Sequence, residues 1–96
     1  MSLVISPQIQ NKLANKTPPV SRDEVLQCFA NRTGQLLADT RAEHLTNPIT
    51  RWFIAETDYG LKLKIVFIPL GEDIIIKSAY VPNAEELRIY IKYGQP

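Results

Sequence analysis

With 96 residues, 45% of them hydrophobic and 22% charged, the chain has the composition of one small globular domain, 1–96, and not of a disordered or fibrous protein. Eleven Lys and Arg against ten Asp and Glu give a net charge of +1, so no global field draws in nucleic acid and any anion site must be a local patch. The longest apolar run, Ile65 to Leu70, is too short to span a bilayer and the single cysteine permits no internal disulfide; the expectation is a cytoplasmic protein with no membrane partner.

In chain order, Met1-Ser2-Leu3 is given no functional weight, and the first element is a short helix after Ser6. Ser6 can cap it, Pro7 suits its first position, and Ile9 and Leu13 lie one turn apart. Pro18-Pro19 ends that segment. A second helix starts at an S-x-x-E capping box, Ser21 and Glu24, with Val20 and Val25 in the positions of a hydrophobic staple. Its buried side should carry Val25, Leu26, Cys28 and Phe29. Gln35 to Thr40 reads as a short strand, and Arg41 to Thr50 as a loop that holds His44.

Arg51 to Thr57 has the aromatic and branched residues of a strand, and Asp58-Tyr59-Gly60 supplies a turn. Leu61, Leu63, Ile65 and Phe67 then alternate with Lys62 and Lys64, which predicts a strand with one core face. Asp73 to Tyr80 follows after Pro69-Leu-Gly-Glu72, a connection long enough for a hairpin and too short for a parallel crossover. Period-two reading groups Ile74, Ile76, Ser78 and Tyr80 on one side and places Lys77 near Lys62 or Lys64. Asn83 and Glu86 form a second capping box, opening a helix with an Ala84, Leu87, Ile91 stripe that runs to Gly94.

The fold expected is therefore α+β: a small antiparallel sheet of three to four strands, with two N-terminal helices and one C-terminal helix packed on one face of it. Its core should contain Leu26, Phe29, Leu63, Ile65, Phe67, Ile74, Ile76 and Leu87. One His and one Cys do not make a transition-metal site, and no cofactor is expected.

Val20-Ser-Arg-Asp-Glu-Val-Leu-Gln-Cys-Phe29, Leu61-Lys-Leu-Lys-Ile-Val-Phe67, and Ile76-Lys-Ser-Ala-Tyr80 followed by Glu85-Glu-Leu-Arg-Ile-Tyr90 give the chain a pattern that resembles the BrnT-like branch of the RelE/ParE toxin superfamily, over residues 6–93. The resemblance implies a small bacterial toxin of a toxin–antitoxin pair, an endoribonuclease acting on messenger RNA and neutralised by a cognate antitoxin protein. Where that pattern reads Ser-Ala-Arg before the last helix, this chain reads Ser78-Ala79-Tyr80, which implies weak or lost cleavage, because a neutral phenol does not offset phosphate charge as a guanidinium does.

RNA cleavage needs proton transfer and cations at the phosphate. The candidate catalytic residues are Lys77, Tyr80 and His44, and the candidate RNA-binding residues are Arg51, Lys62, Lys64 and Arg88. Each is equally a solvated residue on an amphipathic sheet or helix. Trp52, Tyr59, Tyr80, Tyr90 and Tyr93 could stack on unpaired bases; the competing reading is core for Trp52 and packing of the last helix on the sheet for Tyr90. The competing function is a non-catalytic protein–protein interaction module.

Overall fold

The computed structural model describes residues 2–39 and 49–95. These residues form an α+β fold with five strands in one mixed sheet and three helices. The strands are β1 (Ser2–Val4), β2 (Leu37–Ala38), β3 (Arg51–Glu56), β4 (Lys62–Leu70) and β5 (Asp73–Tyr80), and the helices are α1 (Pro7–Ala14), α2 (Arg22–Asn31) and α3 (Ala84–Tyr93). Across the sheet the order is β1-β5-β4-β3-β2. As expected, β4 and β5 are antiparallel neighbours, with Leu70 opposite Asp73 and Gly71 in the tight turn at φ +61°, a conformation that favours glycine.

The expectation of three to four antiparallel strands is corrected by β1, which lies parallel to β5 with Leu3 opposite Ile74. A three-residue strand with one buried side chain carries too little alternation to be recognised, and its partner lies some seventy residues away in the chain.

Both expected capping boxes form. Glu24 N donates to Ser21 Oγ at 3.2 Å, and Ser21 N donates back to Glu24 Oε1 at 2.9 Å. In α1, Ile9 N donates to Ser6 Oγ at 3.2 Å, and Leu13 is the residue that helix buries.

Strand alternation assigns two faces. Phe53, Leu63, Ile65, Phe67 and Ile76 point to the α2 side, where the Phe29 ring meets Phe53 at 4.9 Å and Phe67 at 5.4 Å, and the Cys28 thiol donates to Ala55 O at 3.7 Å. Trp52, Ile54 and Lys64 point the other way, and there the Trp52 ring packs on Tyr90 of α3 at 5.7 Å. The helices therefore do not share one face: α2 and α3 sandwich the sheet, while α1 packs on β5. This explains why four consecutive residues of β3, Trp52 to Ala55, are all buried.

The core differs from the expected set accordingly. Leu63, Ile65, Phe67 and Ile76 are buried, Phe29, Ile74 and Leu87 are packed at its margin, and Leu26 is 37% exposed. Trp52, Phe53 and Tyr90 are large buried side chains it lacked. Tyr90 fits because Gly34 and Gly94 lie against its ring and hydroxyl, where a Cβ on either glycine would overlap it; its hydroxyl donates to Gln35 O at 2.8 Å. No helix among the described residues is long and apolar enough to cross a membrane.

Candidate binding cleft beside a buried ion pair

Lys64 lies near the start of β4 on the α3 side and is only 7% exposed. A buried ammonium needs a partner, and α3 provides it through the geometry of its own N-terminus. Glu86 Oε1 accepts from Asn83 N at 2.9 Å, and Asn83 Oδ1 accepts from Glu86 N at 2.8 Å. The other Glu86 oxygen, Oε2, accepts from Lys64 Nζ at 2.7 Å and from the Tyr80 hydroxyl at 2.6 Å. One carboxylate thus closes the helix cap and fastens that helix to β4 and β5.

Burial pushes the Glu86 carboxyl up, but hydrogen bonds from Lys64, Tyr80 and the Asn83 N–H, with the Lys64 charge, outweigh it and hold the group below its usual range. Lys64 Nζ also lies 4.5 Å from the centre of the Trp52 ring and 5.7 Å from that of Tyr80.

Tyr80 reaches Glu86 because of a β-bulge. Val66 pairs with Ser78 but Phe67 pairs with Ile76, so Lys77 is the extra residue. Beyond it the alternation changes phase, and Tyr80 stands opposite Lys64 on the α3 side instead of sharing the side of Ile76.

The candidate RNA-binding residues do not assemble into one patch. Lys64 is held by Glu86. Arg88 is exposed on α3 and pairs with Glu85. Arg51, at the start of β3, stands opposite Phe67 and so belongs to the α2 face, away from Lys64. Lys62 is exposed opposite Glu56. Lys77 is exposed at the bulge and faces neither Lys62 nor Lys64, which corrects the expected cross-strand apposition: Lys64 pairs with Tyr80, and β5 ends there. Of the candidate catalytic residues, Tyr80 lies in the ion-pair network, Lys77 lies outside it, and His44 falls outside the described residues. Tyr59 is 97% exposed at a turn tip.

Beside the network, between α3 and the β2–β3 side of the sheet, lies a cleft of about 630 Å³, within the usual range for ligand sites. Leu37, Ala38, Trp52, Ile89 and Tyr93 give it apolar walls. Its polar lining is Asp39, Asn83, Glu85, Glu86 and Lys64. Sequence reasoning missed Glu86, seen only as a capping residue, and missed Asp39, which is buried. The available signal for Glu86 was Lys64 itself: a lysine on the same strand face as Trp52 needs an acid if that face is covered.

A second cleft of about 300 Å³ opens on the opposite flank of α3, with Lys62, Glu56, Leu87 and Ile91 in its lining. Among the described residues no group of three or more His, Cys, Asp or Glu is placed to hold a metal ion. The larger cleft can enclose apolar groups and oppose positive charge. No protein-family model, curated protein or solved structure matches this chain.

Proposed function

We propose that this domain is a non-catalytic, cytoplasmic interaction module that docks a partner protein in the cleft between α3 and the β2–β3 side of the sheet. The supporting observation is the lining of that cleft. Apolar walls are joined at the α3 side by the Glu85 and Glu86 carboxylates, and the one lysine among the lining residues is already engaged by Glu86. Such a lining favours apolar side chains and repels a phosphate backbone. The Tyr80 hydroxyl, a candidate for proton transfer, donates to the same carboxylate.

The second reading is an RNA-binding domain, a weak or lost endoribonuclease of the RelE/BrnT-like kind with an antitoxin partner. The exposed Lys62 and Lys77 favour it. Amide NMR spectra separate the two. Peptides selected from a displayed random library should shift Leu37, Trp52, Ile89 and Tyr93, and Ile89→Asp should abolish the shifts. Messenger RNA should stay intact, and a single-stranded RNA should leave the spectra unchanged. Brisk RNA degradation, or a salt-dependent RNA affinity whose slope flattens in Lys62→Ala/Lys77→Ala, would reject the docking reading.

A further inference from the structure

We infer that the segment seated in the cleft is a short basic peptide of the partner protein, with a lysine or arginine at the Glu85 end and apolar side chains over Ile89 and Tyr93. The inference rests on the docking reading and adds the ligand's chemistry and direction.

Glu85, Ile89 and Tyr93 follow one another at intervals of four residues, so they form one stripe along α3 on the cleft side. At 1.5 Å per residue the stripe is about 12 Å long. That is the length of about three to four extended residues. The stripe is graded: a carboxylate at the N-terminal end of α3, an aliphatic side chain in the middle, and a phenol ring 60% exposed at the far end. Facing it, Leu37 and Trp52 continue the apolar surface.

The start of a helix ordinarily attracts anions. Here the Asn83 and Glu86 side chains already accept from the Glu86 and Asn83 N–H groups, and the Glu86 carboxylate stands over that turn. Lys64 balances the Glu86 charge, so the group offered to a ligand there is the exposed Glu85 carboxylate, which repels an anion and can pair with a cation. Glu85 does hold Arg88, but both side chains are well exposed, 60% and 73%, and a pair so open to water is held weakly and exchanges readily. An incoming lysine or arginine can replace Arg88 with little loss.

The test uses a random-sequence peptide library displayed on phage, selected against the intact protein and then against Glu85→Lys, Ile89→Asp and Tyr93→Ala. Far-ultraviolet circular dichroism and Trp52 fluorescence verify the folding of each variant. Wild type should enrich peptides with a lysine or arginine within three or four residues of a large apolar side chain. Glu85→Lys should weaken such a peptide about tenfold or more at low salt, the difference narrowing as salt is added. Ile89→Asp and Tyr93→Ala should remove binding.

If neutral or acidic peptides are enriched, or the basic ones bind Glu85→Lys unchanged, while Ile89→Asp and Tyr93→Ala still remove binding, the basic-ligand inference fails and the docking reading stands. Binding that survives both Ile89→Asp and Tyr93→Ala, no enrichment at all, or a dimer of this chain that closes the cleft overturns both.

Discussion

Replacing Lys64 with methionine keeps most of the side chain's apolar stem and removes its charge, which isolates the contribution of the ion pair. Exposed pairs contribute about 0–1 kcal/mol. Breaking a fully buried pair costs about 3–5 kcal/mol because a charge is left without its partner. The side chains of Lys64 and Glu86 are 9% and 16% exposed, near the buried limit, but after the change Glu86 still accepts from Tyr80 at 2.6 Å and from Asn83 N at 2.9 Å. The expected loss at neutral pH is therefore about 2–3 kcal/mol. Urea unfolding followed by the fluorescence of Trp52, the only tryptophan, reads it directly.

The pH dependence is a second constraint on the same variant. The Glu86 carboxyl is lowered from 4.5 in the folded protein, so its contribution is present above that unfolded value and is lost as pH falls through the folded one. Without Lys64 its hydrogen bond and its charge no longer lower the carboxyl, while the bonds from Tyr80 and Asn83 still do. The deficit of Lys64→Met should thus be full at neutral pH and shrink below 4.5 as the carboxyl protonates. Adding Glu86→Gln should recover part of the loss, with a coupling of about 1 kcal/mol or more. A deficit below about 0.5 kcal/mol, as for an exposed pair, or one that stays constant into acid, would refute this account of α3 attachment.

Gly34→Ala places a methyl against the Tyr90 hydroxyl and ring and should cost about 1–3 kcal/mol, with partial relief when Tyr90→Phe is added; equal stability of Gly34→Ala and wild type in urea would count against this packing. Phe67, 1% exposed and in edge contact with Phe29, should cost about 3–5 kcal/mol on change to alanine, measured in the same way. The Cys28 thiol is pushed up to about 12 by burial, with Glu24 and Asp58 adding to it. Ellman's reagent should therefore leave the native protein unmodified at neutral pH and react once urea unfolds it; rapid native labelling would contradict the position of α2.

Local signals in the sequence survive into the structure where the interactions themselves are local. Ser21 with Glu24, and Asn83 with Glu86, are three residues apart, and both boxes form as expected. Pro69 to Glu72 makes a β4–β5 hairpin necessary on length alone. What the sequence hides depends on distant partners. Nothing in Leu3 announces a parallel neighbour at Ile74. The bulge at Lys77 breaks the period of two within a strand whose residues give no mark of it, so alternation alone puts Tyr80 on the wrong side. Lys62 and Lys64 look alike as alternate residues of one strand. Only the placement of α3 distinguishes them, leaving one exposed and burying the other beneath Glu86. The cleft is invisible for the same reason, because its walls come from β2, β3 and α3, which meet only in the folded chain.

The two oxygens of Glu86 make the winding of α3 and its seating on the sheet a single event. A ten-residue helix is too short to persist alone in water. Releasing the Lys64 and Tyr80 bonds frees the side chain that closes the first turn, so a detached α3 should lose its helical form instead of swinging away intact. In hydrogen–deuterium exchange its amides should open together, with one shared free energy below that of global unfolding. A partner in the cleft would bind only the closed form and slow the exchange of the whole segment in proportion to its occupancy. Protection of α3 then becomes a gauge of docking that reads the same way whichever partner fills the cleft.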